Sequence, residues 1–451
     1  MLLMALLAWP LLAFGGVYLW AAIPFVLGSA LFAVLCPPAL GVAAETRWLD
    51  RWIVLLVACL AAQLVPLPNA IVAAISEAPT LLALLKLDYH AEAVSGARPA
   101  VAASIDPRST LWATSIAIAA VLVFLSARRL FGGGELRATV RAIAWMGLIM
   151  ASVALLQQAT SRRLIYWWWT PLDEGADPFG PFVNRNHAGT YLIMAIPTTF
   201  GYLIARLEAN RSADGVIRSL RGIVQVFDRR AALLLLSGSI MTLAAIVSSS
   251  RSALLGLGGA LVLVWGLARR ELDRQRRRWL TAYAVVVALA VLAWTNIEAI
   301  IHRFDQAVTG SSGRLEIWRE TMPLVGDFWL TGTGAGTYSL AMRVYQQADR
   351  TVSFNQAHNH YLQVIAEGGL LLAVPTLLAL IAFARLARMR IASEHHSVYW
   401  IRVGALGGLL AVAVQSLWET GLRMPANAVL AAVLAAIVVH TPKRGRRDAD
   451  E

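Results

Sequence analysis

The chain has 451 residues, 58% of them hydrophobic and only 15% charged, with a mean hydropathy of +0.62. A soluble domain carries about a quarter charged residues, so the composition excludes a water-soluble globular protein and points to an all-α polytopic membrane protein. The net charge of +12 would suit a nucleic-acid binder, but the basic residues follow membrane topology instead, and no nucleic-acid partner is expected.

Taken in chain order, apolar runs centre on 2–15, 17–36, 52–67, 110–127, 142–158, 188–205, 231–248, 252–268, 279–296, 361–384, 399–418 and 426–440. Each approaches the roughly 20 residues that a bilayer requires, and together they predict about twelve transmembrane helices in a single integral membrane domain, 1–451. The first charged residue is Glu45. A secretory leader would open with basic residues and end at a cleavage site, so residues 1–44 read as a pair of spans, the first interrupted by Pro10. Cys36 and Cys59 lie in apolar runs without metal-site spacing and read as packing residues.

Cytoplasmic loops collect Lys and Arg. One set of alternate loops holds 26 of the 39 Lys+Arg, among them the six arginines of "ARRELDRQRRR" and those of the C-terminal "KRGRR". That set is therefore cytoplasmic, as are both termini. The opposite face receives the long loops 68–109, 159–187 and 297–360, plus short turns at Ser248–Ser252 and Thr420–Pro425. No ATP is available on that face, which excludes nucleotide-driven chemistry there.

Four polar clusters share the outer face. "FVNRNHAGTYL" supplies Asn184, Arg185, Asn186 and His187 just before a span; Asn186 is a reasonable N-cap, which is the bland reading of the cluster. "VSSSRSALLG" puts Arg251 in a tight turn. Snorkelling to headgroups is its bland alternative, but an arginine on the non-positive side is costly without an anionic partner. "GSSGRLEIWRETMP" places Arg314 at the start of a helix in which Leu315, Trp318, Arg319 and Met322 follow helical spacing and Pro323 is expected to stop the run. A cation at a helix start opposes the helix dipole, which favours a purpose over an idle charge. "AHNHYLQ" supplies His358, Asn359 and His360. The two histidines lack a third ligand at zinc-like spacing, so no metal is expected there. The Gly-rich "GTGAGTY" at 332–338 lacks the Lys-Ser/Thr of a phosphate loop and reads as plain loop. "LDEGAD" offers Asp173, Glu174 and Asp177 for a divalent cation, although a solvated acidic loop is commoner.

Two arginines and a histidine on one face of a membrane bundle point to chemistry on a phosphorylated lipid. Arginine suits phosphate by its fixed charge and two-pronged geometry, and can stabilise a departing pyrophosphate without a metal. A histidine can take the acceptor hydroxyl's proton.

The order "SSR-S-x-LLG", then "GR-x-x-x-W", then "HN-x-YLQ…EGG" before an apolar span resembles the O-antigen ligase and polymerase superfamily over roughly 184–370. The resemblance implies a GT-C-like bundle with a helical periplasmic loop, in a bacterial inner membrane. It implies transfer of a glycan from undecaprenyl pyrophosphate to lipid A-core or to a growing glycan, without metal or other cofactor. Arg251, Arg314 and His358 take the catalytic positions, and Asn184, Arg185, Asn186, His187 and Asn359 the substrate-binding ones. A ligase is the expected activity; a polymerase of the same superfamily is the first alternative. A transporter or flippase without chemistry is the second. It is disfavoured because no internal repeat is visible and the polar weight lies in the outer loops.

Overall fold

The computed structural model describes residues 1–81 apart from 39, 42, 43 and 79, residue 85, residues 100–214 apart from 174, and residues 228–268, 278, 281, 312–347, 353–394 and 397–441. Among these the chain forms fourteen α-helices. They are α1 (Leu2–Leu12), α2 (Leu19–Leu35), α3 (Arg47–Ala62), α4 (Asn69–Ile75), α5 (Pro107–Phe131), α6 (Leu136–Thr160) and α7 (Arg185–Asp214). The second half holds α8 (Arg229–Val247), α9 (Arg251–Ala268), α10 (Ser312–Asp327), α11 (Tyr338–Tyr345), α12 (His360–Ala392), α13 (Ser397–Gln415) and α14 (Pro425–Val439).

Six of them, α5, α6, α7, α8, α12 and α13, are long and apolar enough to cross a membrane, and the chain is an all-α membrane protein. Every expected span except 279–296 contains a helix. That one, Thr281 aside, lies outside the described residues, as do the outer stretch 297–311 and all of "RRELDRQRRR" but Arg278. The segment expected on the outer face, 68–109, is not purely helical where it is described: β1 (Pro66–Pro68) pairs antiparallel with β2 (Ala100–Ala102), with Leu67 opposite Val101.

Local chemistry sets the helix ends. The Asp106 side chain caps α5 by accepting from the N–H groups of Arg108 and Ser109, and Pro107 opens the first turn. Arg128 in its last turn is buried and donates to both oxygens of buried Asp50, at 2.7 and 3.1 Å. Helix α10 differs from the sequence expectation, because it runs through Pro323 to Asp327. Only the N–H of residue 323 is lost there, and the ring is accommodated within the helix.

The centre of the bundle is the α7–α13 pair. A Cβ on Gly404 would lie 2.5 Å from the Pro197 carbonyl oxygen, and one on Gly408 2.5 Å from that of Met194. Small residues one turn apart let two membrane helices approach backbone to backbone, where dispersion and weak polar contacts replace the hydrophobic drive that lipid removes. By contrast Leu370, Val374, Leu377, Leu380 and Ile381 form an exposed stripe on α12, an apolar face suited to hydrocarbon.

Helix α12 is broken. Gly369 has φ 53° and ψ −155°, a backbone region that only glycine enters cheaply. The segment Trp329–Tyr338 docks on this break. Trp329 and Leu330 carbonyls accept from the N–H groups of Leu370 and Leu371 at 2.8 and 2.9 Å, and the Thr333 and Gly334 N–H groups donate to the carbonyls of Ala366 and Glu367 at 3.1 and 2.9 Å. The Glu367 side chain locks the arrangement. Its Oε2 accepts from Gly336 N–H at 2.9 Å, and its Oε1 from Gln363 Nε2 at 3.0 Å, Arg423 Nη1 at 3.0 Å and Tyr338 N–H at 3.3 Å. Gln63 at the end of α3 completes the frame, donating to the carbonyls of Thr331 and Glu367 and accepting from Ala335 N–H. The "GTGAGTY" stretch is therefore a structural insert rather than a free loop. Outside it, Val72, Leu324, Phe328, Tyr338 and Met342 share a second apolar core that ties α4, α10 and α11 to the start of α12.

A Cβ on Gly369 would sit 2.5 Å from the Leu330 carbonyl carbon. Gly369→Ala should therefore lower stability by at least about 1–3 kcal/mol, read as a fall in the unfolding temperature of the purified protein in detergent. Gly258 in α9 has nothing within 4 Å of its Cβ position, and Gly258→Ala should leave that temperature unchanged or slightly raised.

Candidate active site

The N-termini of α7, α9, α12 and α14 meet at one end of the bundle, and the polar clusters converge there. In "NRNH" the cap is Asn184 rather than Asn186: its Oδ1 accepts from the Asn186 N–H at 2.8 Å, and α7 begins at Arg185. The Arg185 side chain turns outward to Asp177, with Nε 2.9 Å from Oδ2 and both groups about half exposed. His187 points inward and is buried. Its carbonyl accepts from Asn427 Nδ2 at 3.0 Å, and that same amide donates to the Gly421 carbonyl. Asp173 is occupied locally, by the Gly175 N–H at 3.0 Å. Glu174 lies outside the described residues, and among those described no cluster of metal-ligating side chains forms.

The turn before α9 is tight, with Ser249 at φ 54°. Arg251 is the first residue of the helix and is exposed. Gln415 at the end of α13 spans the gap, its Nε2 lying 3.5 Å from both the Ser252 hydroxyl and the Asn186 carbonyl. The Arg251 turn and the "NRNH" segment are thus neighbours.

His358 has φ 48°, an unfavourable conformation for a side-chain-bearing residue and one that marks a position held by its surroundings. Asn359 caps α12, its Oδ1 accepting from the Leu362 N–H at 3.0 Å. The preceding Ala357 is held twice, by Trp318 Nε1 on its carbonyl at 2.9 Å and by Gln363 Oε1 on its N–H at 3.1 Å. Trp318 brings α10 against the histidine segment. Arg314 lies one turn earlier on the same helix face. His360 is set apart: its N–H donates to the Ser416 carbonyl at 2.8 Å and it opens the helix.

The turn between α13 and α14 adds a charge that the sequence reading did not assign to the site. Glu419 is buried, and its Oε1 lies 3.8 Å from His358 Nδ1 while accepting from the Thr420 N–H at 3.0 Å. The 3.8 Å spacing is an ion-pair distance rather than a hydrogen bond. Among the described residues Glu419 Oε2 has no partner. Thr420 is linked in turn to Gln356 by a hydrogen bond between side chains. Burial pushes the Glu419 carboxyl up, but His358 and His187 beside it, with the Thr420 N–H, outweigh that and hold it below the ordinary carboxylate value. Arg423, four residues on, neutralises Glu367. The signal for both lay in "WETGLRMP": a Glu and an Arg in a short outer turn between apolar runs raise the same question as Arg251.

The centre of the site is therefore His358 between buried Glu419 and His187. Arg251 stands at the start of α9 beside the "NRNH" segment, and Arg314 stands near the start of α10, one turn before Trp318. Among the described residues neither arginine has an acidic partner, so both are available to an external anion. Arg185, the other cation expected here, is not.

Because folding lowers the Glu419 carboxyl value, the stability it contributes is present at neutral pH and lost as the pH falls through the carboxylate range, about 4.3 and below. Unfolding temperatures measured between neutral and acid pH should fall for the native protein, and fall less steeply for Glu419→Gln.

Comparison with protein families finds that residues 236–377 match the model described as O-antigen ligase. Among curated proteins no match is found. The matched stretch runs from α8 into the second half of α12 and includes Arg251, Arg314, His358 and the break at Gly369, whereas Asn184–His187 and Glu419 fall outside it. Over this segment, residues 236–377, the chain is similar to the O-antigen ligase family.

Proposed function

We propose that the protein is a glycosyltransferase of the bacterial inner membrane that joins polysaccharide carried on undecaprenyl pyrophosphate to lipid A-core. In this reading the chain is one integral domain, 1–451, a GT-C-like bundle of about twelve spans with both termini cytoplasmic. The loop 297–360 and the His358 site face the periplasm. The observation that carries the proposal is a histidine held against a buried carboxylate, with two arginines, at the starts of α9 and α10, that lack acidic partners among the described residues.

The chemistry follows from that arrangement. Glu419 beside Nδ1 favours the proton on that nitrogen and leaves Nε2 free as the base. The acceptor hydroxyl oxygen bonds to the anomeric carbon while its proton passes to His358 Nε2. The bond from that carbon to the pyrophosphate oxygen breaks, and the leaving oxygen keeps the electron pair. Arg251 and Arg314 meet the negative charge that develops there, and fixed charges in a partly dry site cost no reorganisation as it forms. Asn186, His187 and the free amide of Asn359 line the approach as substrate-binding groups, with Arg185 at the outer rim. The arginines supply the charge stabilisation that a metal would otherwise provide. In a polymerase the same steps would use a carrier-linked glycan as acceptor.

Deleting the gene and analysing carrier-linked glycans tests the reading. Full-length polymer stranded on the lipid carrier is expected; single repeat units would mean a polymerase, and no change in carrier-linked glycan would overturn the proposal. Restoring the gene as His358→Ala should leave transfer roughly 10²–10⁴-fold below wild type, the range of general-base catalysis. His360→Ala should cost much less. Arg314→Lys keeps the charge but loses the two-pronged geometry and should be impaired. Each variant is compared at equal membrane abundance, and a larger defect in His360→Ala than in His358→Ala would assign the base wrongly.

A further inference from the structure

A second polar feature lies far from this site. Between α6, α7 and α8 the chain leaves a lateral cavity of about 500 Å³, bounded by Trp145 and Leu148 on α6, Tyr202 on α7 and Leu233 on α8, with Arg141 and Arg230 beside them. Tyr202 follows His187 by fifteen residues on α7, which is about 22 Å along the helix axis. The cavity therefore belongs to the opposite end of the bundle.

Three observations bear on what fills it. First, its size is that of a small-molecule site, about 300–1,000 Å³, and its wall is mostly aliphatic and aromatic. Secondly, it opens sideways: Trp145 and Leu233 are exposed, so the wall continues onto a surface suited to hydrocarbon, where a water-soluble anion would find no reason to lodge. Thirdly, its cations form no salt bridge among the described residues. The nearby acid, Asp228, is hydrogen-bonded by Arg206 and by the Ala231 N–H, and Arg230 acts on it through charge alone. Arg141 and Arg230 are exposed.

We propose that this groove binds one anionic phospholipid from the leaflet at that end, with the phosphate between Arg141 and Arg230 and an acyl chain along Trp145, Leu148 and Leu233. A paired-donor anion matches two guanidiniums, and basic pockets between membrane helices favour anionic headgroups. A groove with a cationic rim and an apolar wall is complementary to an amphipathic anion and to neither half of it alone.

The full chain, purified in detergent and titrated with phosphatidylglycerol or phosphatidylcholine under native mass spectrometry, tests this. One phosphatidylglycerol should bind in preference to phosphatidylcholine. Arg141→Ala/Arg230→Ala should weaken it by roughly 10- to 30-fold. Arg137→Ala/Arg229→Ala removes two basic residues of the same helices that do not line the groove, and should leave binding within about twofold, since headgroup attraction there is diffuse. Elution as a single species in size exclusion shows that each variant is folded. Equal affinity for the two lipids, full retention by Arg141→Ala/Arg230→Ala, or an equal loss in Arg137→Ala/Arg229→Ala would overturn the proposal, the last because it would mean general attraction to a basic face.

Discussion

A carboxylate buried beside a break in a membrane helix is the constraint on which this molecule is arranged. Burying Glu367 is costly unless its oxygens are satisfied, and four donors from three segments satisfy them: Gln363 on its own helix, Arg423 from the α13–α14 turn, and the backbone of Gly336 and Tyr338. Meeting that demand pulls the Trp329–Tyr338 segment into the gap opened by Gly369. Once there, the segment fixes α10 and α11 over the start of α12. Trp318 can then hold the Ala357 carbonyl, and His358 is left in a conformation it would not adopt alone. The position of the proposed base is thus a consequence of how one acid is solvated by the protein.

The two ends of the bundle spend their charges differently. At the end away from His358, three arginines serve the fold. Arg128 pairs with Asp50, Arg390 with Glu45 at 2.6 Å, and buried Arg402 donates to the carbonyls of Val438 and His440 at the C-terminus of α14, where the helix dipole favours a cation. At the His358 end the acids are the buried groups, and Arg251 and Arg314 are the cations left over.

Much of the scaffold was legible in the sequence, because hydrocarbon imposes a simple rule: backbone polar groups must be satisfied within a helix, and the apolar runs report where. Arg251, Arg314 and His358 stood out as candidates for a related reason, since charge beside a span needs an explanation. What could not be read was set by contacts between distant segments. A Gly pair in an apolar run gives no sign that the helix breaks there, and "GTGAGTY" carries no mark of its docking partner. Asn184 and Asn186 are equally good caps on paper; the hydrogen bond that the Arg185 N–H donates to the Asp177 carbonyl sets where α7 starts. Pro323 is a helix stop by local rules, yet packing of Leu324 and Phe328 into the second core carries α10 past it. Glu419 became a candidate partner of His358 only when the last turn of the chain folded back over α12.

In the proposed reaction the His358 end of the bundle breaks a bond rather than passing a glycan through. The most direct measurement uses the purified chain in liposomes with a carrier-linked glycan and lipid A-core, following transferred glycan and freed lipid pyrophosphate together. One lipid pyrophosphate should appear for each glycan joined to the acceptor. Glycan that crosses the bilayer while still attached to its carrier, with no pyrophosphate released, would contradict it.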